Sequence, residues 1–158
     1  MRRALLALVS VLVLGTGVAM ATPVSVLTLA DEGREILAPL DDGEPLEYSY
    51  EQSVYLVRVF EEFERTGDRL ELLRVRSSDI RAVEYFRWDG EIRQGTDGLF
   101  TQDAPPSEVI DLVIRITPGR GQTMRTPRWT RGLEAIFGDG VVRVRVERRP
   151  FLATVLSR

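Results

Sequence analysis

Residues 138–147 read GDGVVRVRVE, a glycine-rich turn followed by a run in which valine alternates with charged residues. Strict alternation has the period of a β-strand, whose successive side chains point to opposite faces. Val142, Val144 and Val146 are therefore predicted to face a core, and the charged residues between them to face solvent. Residues 133–137 precede the turn, and we expect them to supply the other strand of a closing hairpin.

Similar patterns recur about every ten residues, a spacing typical of an all-β fold. Residues 24–29 and 35–37 indicate an opening hairpin, 46–50 a strand with Leu and Tyr on one face, 110–117 a strand with Ile and Leu on one face, and 151–156 an edge strand. We predict a single antiparallel β-sandwich or partly open barrel built from hairpins, with at most one or two short helical turns.

The stretch over residues 54–65 fits two structures, because its apolar residues match both helical and strand spacing. Its β-branched and aromatic content favours a strand, as does the turn at 66–68, which leads into alternation over 70–75. Residues 78–85 are compatible with one or two helical turns, because Ser and Asp at their start are good N-caps.

The sequence WDGE at residues 88–91 places Asp-Gly between extended residues, which favours a two-residue hairpin turn. We therefore predict that residues 85–88 pair with 91–93. Residues 95–106 and 117–132 are rich in Gly, Pro and polar residues, and we predict that both are loops.

The N-terminal segment has the three parts of a secretory signal peptide. Arginines at positions 2 and 3 precede an apolar run over residues 4–18, and the sequence AMA at 19–21 supplies small residues for the cleavage site. We expect cleavage before Thr22, so that residues 1–21 are the signal peptide and 22–158 form a single β domain. The protein would then work in the periplasm or another extracytoplasmic space.

An uncleaved membrane anchor over residues 4–21 is the alternative, although this span lies at the short end of the roughly 17 to 25 residues that a membrane helix needs. The chain contains no cysteine, which excludes a lipid-anchored lipoprotein and any disulfide. Its stability must therefore come from apolar packing and backbone pairing.

Histidine and lysine are absent as well as cysteine, so the chain cannot assemble a Ser-His-Asp or Cys-His site. Acids remain at Glu61, Glu62 and Glu64, and on a strand the last two share a solvent-facing side if Phe63 points inward. A solvated acidic face explains them more simply than a catalytic pair. We predict no enzyme activity, no catalytic residue, no cofactor and no metal site, with hydrolysis by carboxylates alone as the remaining catalytic alternative.

Charge is uneven along the chain. Acids dominate residues 31–64, whereas arginines dominate 115–149. These segments either pair with each other through cross-strand ion pairs or form opposite faces of a polar molecule. The expected export and the net charge of −3 argue against a nucleic-acid partner.

The predicted loop at residues 117–132 combines arginines with an aromatic residue, which suits a carboxylate, a phosphate or an acidic partner. The alternative is a solvated loop whose tryptophan packs on the end of the sandwich. The candidate docking or binding residues in this segment are Arg120, Arg125, Arg128, Trp129 and Arg131.

Residues 50–55 read YEQSVY and are followed by Val59 and the sequence EEF at 61–63. This pattern is similar to the domain-of-unknown-function 1850 family of short exported proteins, whose motif runs aromatic, any residue, His, Ser, Val. Gln52 stands at the histidine position, so a proton-transfer or metal role does not carry over, whereas hydrogen bonding does.

The family resemblance implies an accessory protein of a tripartite (TRAP), TAXI-type carboxylate transporter, with the permease or the solute-binding protein as partner. It also adds Tyr50, Gln52 and Ser53 to the candidate binding residues. A second hypothesis is a small extracytoplasmic β-domain that itself binds an anionic solute, in which Gln52, Ser53 and an arginine converge on a pocket. A carboxylate-only hydrolase is the third.

Overall fold

The structure is a computed structural model, and it describes residues 23–150. The predictions for the signal peptide at residues 1–21, for cleavage before Thr22 and for an edge strand at 151–156 lie outside the described residues. Within residues 23–150, no helix is long and apolar enough to cross a membrane.

The chain forms twelve strands and two short helices in the described range. In chain order they are β1 (Pro23–Ala30), β2 (Glu35–Pro39), β3 (Pro45–Glu51), β4 (Arg58–Thr66), β5 (Arg69–Ser77), α1 (Ile80–Glu84), β6 (Ile92–Gln94), β7 (Phe100–Asp103), β8 (Glu108–Val109), β9 (Leu112–Ile116), β10 (Thr123–Arg125), β11 (Thr130–Gly132), α2 (Leu133–Phe137) and β12 (Gly140–Pro150). The predicted all-β class is confirmed.

Two antiparallel sheets pack together as a sandwich-like fold. The small sheet has the order β2-β1-β12-β9, and the large sheet has the order β11-β10-β3-β4-β5-β7-β6, with β8 paired to β5. Side chains from both sheets, such as Leu27 and Val144 from the small one and Leu46 and Phe63 from the large one, share the main core cluster. The core therefore lies between the sheets, as the alternation in each strand requires.

The stretch that opened the sequence analysis is the long strand β12. Val142, Val144 and Val146 face the core as predicted. The predicted closing hairpin is wrong, because residues 133–137 are helix α2 and β12 pairs with β1 and β9 instead. Gly138, with a φ of 69°, follows the last helical residue and turns the chain away from the helix.

The hairpin of β4 and β5 is confirmed, as are the opening hairpin of β1 and β2 and the strand β3. Strand β4 begins at Arg58 rather than at residue 54, because residues 52–57 form a turn. The pairing register shifts between Glu62 and Phe63, where Glu62 lies opposite Arg74 and Phe63 opposite Leu72. Strand β5 therefore carries one extra residue, Leu73, as a β-bulge.

The hairpin predicted at residues 85–93 is wrong. Residues 80–84 are helix α1, capped by the Asp79 carboxylate, which accepts the Arg81 N–H, and this helical conformation draws Tyr85 out of any strand. Strand β6 pairs with β7, which lies inside the predicted loop at 95–106. Strands β6 and β7 have only three and four residues, too few to show the alternation of side chains by which a strand is predicted.

The predicted loop at residues 117–132 also contains strands. Strand β10 pairs with β3 and with β11, and Met124 between them is fully buried. The predicted strand at 110–117 is β9, which begins at Leu112, so Ile110 stays outside it and is exposed.

Candidate functional site

The structure separates the candidate residues into two groups at opposite ends of β3. Because β10 runs antiparallel to β3, Arg125 lies opposite Glu47, whereas Arg120 reaches Glu51 at the far end of the strand. About six residues of extended chain separate the two ends, or roughly 20 Å. The predicted arginine segment is therefore not one site.

At one end of β3, the side chains of Asp41, Glu44, Arg128 and Trp129 close the sandwich, and we call this group the Trp129 end. Arg128 binds Glu44 through Nε at 3.0 Å and Asp41 at 3.2 Å. The Trp129 indole packs against the main core, and its N–H donates to the Pro39 carbonyl at 2.9 Å. This is the packing alternative that the sequence left open for Trp129.

Arginines and acids alternate across the outer face of the large sheet beside the Trp129 end. Arg125 lies 3.1 Å from Glu47, and Arg76 lies 2.5 Å from Glu62 and 3.6 Å from Glu47. These residues and Trp129 line an open groove of about 610 Å³. Of the two alternatives for the uneven charge, cross-strand pairing is the one observed here, and it leaves the groove little free positive charge.

Arg131 lies on strand β11, at the edge of the large sheet, and its side chain is exposed. Within residues 23–150 it makes no ion pair within 4.0 Å. It therefore joins neither the groove nor the Arg120 end.

At the other end of β3, the candidate residues Gln52 and Ser53 lie in different environments. Gln52 is 6% exposed, and its Oε1 has no hydrogen-bond partner among the described residues. Ser53 is exposed, so the pair does not converge on one pocket. The Gln52 N–H donates to Val57 and the Leu56 N–H donates to the Gln52 carbonyl, both at 2.9 Å, and these bonds fix a tight turn.

The turn at residues 52–57 and helix α1 expose apolar side chains to solvent. Val54, Leu56 and Tyr85 are 56%, 63% and 57% exposed, and Ile80 is also exposed. We call these four residues the apolar tip. Tyr55 and Val57 pack with α1 in the second core cluster, which holds the turn against the helix.

Backbone conformation at the tip is unusual. Leu56 has a φ of 55° and Arg87 a φ of 53°, and they are the non-glycine residues with positive φ among those described. A left-handed conformation costs an ordinary residue about 1–2 kcal/mol. Large apolar residues are rare in this conformation, and strain of this kind concentrates at functional positions.

Sequence analysis missed a half-buried acid on the inner face of β4. Glu61 lies opposite Tyr48 and Val75, on the same side of the strand as Val59 and Phe63. Burial raises the pKa of its carboxyl, and a hydrogen bond with Tyr50 offsets only part of that rise. The alternation over residues 59–63 places Glu61 on the same side as Val59 and Phe63, so its inward position could have been predicted. Glu62 and Glu64 point outward, as predicted.

Two tyrosines surround Glu61. The rings of Tyr48 and Tyr50 stack with centroids 5.1 Å apart, and the Gln122 side chain donates to the Tyr48 hydroxyl at 2.8 Å. Burial raises the pKa of Tyr48 to about 12, and burial followed by the Glu61 charge raises the pKa of Tyr50 as well. Tyr50 packs against both core clusters, so this polar group links the two clusters.

No group of three or more acidic side chains in residues 23–150 has the arrangement of a metal site. Comparison of the chain with protein-family models, with curated proteins and with solved structures finds no match.

Proposed function

We propose that this protein is a non-catalytic, extracytoplasmic interaction module that docks onto a protein partner through the apolar tip. The observation that carries the proposal is the exposure of Val54 and Leu56 on the turn at residues 52–57 and of Tyr85 at the end of α1, with Leu56 held in a left-handed conformation. Exposed side chains of this size lose contact with water in a complex, which favours association.

The surroundings of the tip suit a protein interface. The Arg81 guanidinium lies 5.0 Å from the centre of the Tyr55 ring and also binds Asp79, while Arg120 binds Glu51. An apolar centre with tyrosine, bordered by paired charges, is the usual composition of a protein–protein contact. Arg81 and Arg120 are both paired with acids, so neither supplies free positive charge for an anionic membrane.

The partner we propose is the permease or the solute-binding protein of a TAXI-type tripartite transporter, and this choice rests on the resemblance of residues 50–63 to the 1850 family. A non-catalytic role is supported by the lack of His, Cys and Lys, which removes the common nucleophile and base pairs. Export is supported by the sequence of residues 1–21.

The test is co-purification of the full chain, tagged at its C-terminus, from detergent-solubilised membranes of its own source. We expect the permease or the solute-binding protein to be enriched, and the N-terminal peptide to begin at Thr22. A tip variant that combines Val54→Ser, Leu56→Ser and Tyr85→Ser should capture at least tenfold less of that partner.

The matched control is Ile110→Ser, Val113→Ser and Val141→Ser, which changes three exposed apolar residues elsewhere on the molecule. It should capture the partner as the wild type does. If the wild type is recovered alone, or if both triple variants lose capture equally, the proposed docking function of the tip is wrong.

A further inference from the structure

One arginine on the outer face of the large sheet differs from its neighbours. Arg58 begins β4, and its Nη2 donates to Ser49 Oγ at 3.1 Å and to Thr123 Oγ1 at 3.0 Å. The two hydroxyls are 2.8 Å apart and hydrogen-bond each other. The guanidinium is thus half-buried and held in place by neutral groups.

Arg58 has no acidic partner among the described residues. Within residues 23–150 it forms no ion pair within 4.0 Å, unlike Arg76 and Arg125 on the same face. Its cross-strand neighbour Glu51 binds Arg120 at 2.8 Å instead. A guanidinium has five N–H donors, and the hydroxyls of Ser49 and Thr123 occupy only Nη2.

A glycine packs against the Nη1 side of the guanidinium. A Cβ added at Gly121 would lie 2.9 Å from Nη1 of Arg58, closer than real contacts allow. Gly121 also has a φ of 56°, which disfavours a side chain on backbone grounds. The close approach of the chain to Nη1 therefore depends on glycine at this position, and a side chain here would displace the guanidinium.

We infer that Arg58 binds the carboxylate of a small organic anion, with Arg120 at the edge of the site. Arg58, Arg120 and Glu51 together carry one net positive charge, which matches a single carboxylate. With Nη2 occupied by the two hydroxyls, Nη1 and Nε remain as charged donors, and a carboxylate oxygen is an acceptor that arginine pairs with well. This site lies on the sheet face beside the tip, and it stands whether or not the tip docks a partner.

The test is a titration of the purified, isotope-labelled protein with succinate at pH 7, followed by NMR. Sodium chloride at equal ionic strength is the matched salt control. We expect saturable shifts for Arg58, Ser49, Thr123 and Gly121 with succinate and none that saturate with chloride. Shifts that map to other residues, or that match in both salts, would overturn the inference.

Two variants test the assignment. Arg58→Gln should weaken succinate binding at least tenfold, whereas Arg131→Gln, which removes the same charge from an exposed position on β11, should bind as the wild type does. Gly121→Ala keeps all the charges but places a methyl group against Nη1, and it too should weaken binding. If Arg58→Gln fails to fold, the chemical shifts of the wild type and the binding of succinate by Gly121→Ala test the site instead. Unchanged binding by Gly121→Ala, together with Arg58 signals that do not shift in the wild type, refutes the site.

Discussion

The two ends of β3 carry similar kinds of residues and use them in opposite ways. At the Trp129 end, the aromatic ring packs on the core and the arginine binds two acids. At the apolar tip, Tyr85 and Leu56 face solvent, and nearby Arg58 has no acid partner within residues 23–150. One end is closed by its own side chains, while the other leaves side chains available to something outside the chain.

An arginine-aromatic pattern therefore does not by itself identify a binding surface. The pattern over residues 120–131 predicts a docking loop, yet Arg120, Arg125 and Arg128 are paired with acids within the fold. Ion pairs exposed to solvent contribute little to stability, about 0–1 kcal/mol each. At the Trp129 end, these ion pairs leave neither Arg125 nor Arg128 with free charge for a ligand.

The largest difference in stability is expected between substitutions of Trp129 and of Tyr85. Trp129→Ala removes an indole packed on the core and its hydrogen bond to Pro39, and we expect a loss of about 2–3 kcal/mol in the free energy of unfolding. Tyr85→Ala at the exposed tip should cost less than about 1 kcal/mol. Urea denaturation of both variants measures the difference.

Partner capture should reverse that order, with Trp129→Ala retaining the partner and Tyr85→Ala losing it. An unfolding free energy unchanged by Trp129→Ala would mean that the Trp129 end is no more structural than the tip.

The left-handed conformation of Leu56 gives a second test at the tip. Leu56→Gly removes a side chain from a left-handed residue, so we expect it to stabilise the protein by roughly 0.5–1 kcal/mol, since the relief of strain exceeds the added chain entropy. The same variant should capture less partner, because the exposed leucine is gone.

Gly43→Leu is the matched control in the turn after β2, where φ is 71° and nothing lies within 4 Å of an added Cβ. It creates the same strain without a clash, and it should destabilise the protein by a similar amount. Denaturation curves that show Leu56→Gly to be less stable than the wild type would indicate that Leu56 is retained for packing rather than for function.

Strand alternation was readable in the sequence, because a strand's facing pattern is local. Val142, Val144 and Val146 were placed correctly on β12, and the β4–β5 hairpin followed from its turn. The partners of β12 were not readable, because β1 lies at the other end of the chain. Strand pairing over such a distance is set by the fold as a whole, so the nearest turn suggested a false hairpin at residues 133–147.

The functional residues were less readable than the fold. Apolar residues such as Val54 and Leu56 normally predict burial, so nothing in the sequence marked them as exposed. Arg58 looks like any other arginine until its partners are known. Glu61 was within reach of sequence reasoning, because Val59 and Phe63 are two residues away on either side and both are buried.

The smallest change in stability is expected at Glu61, which lies beside Tyr48 and Tyr50. Glu61 has a pKa raised by burial, so the folded state binds its proton more tightly than the unfolded state does. Its contribution is therefore unfavourable above the folded pKa and disappears as the pH falls below the ordinary value of 4.5. Glu61→Gln should stabilise the protein at pH 7 by up to about 1 kcal/mol and have no effect near pH 4.

Urea denaturation of the wild type and Glu61→Gln between pH 4 and pH 8 measures this difference. Acids with lowered pKa values, such as Asp111 beside Arg145, lose their contribution as the pH falls, but they do so equally in both proteins and cancel in the comparison. Glu64→Gln removes the same charge from the outer face of β4 and should not reproduce the pH-dependent gain. If Glu61→Gln is instead less stable than the wild type at pH 7, and this loss disappears toward pH 4, the Glu61 carboxylate is stabilised in the folded state. Tyr50 would then link the two core clusters beside a favourable charge.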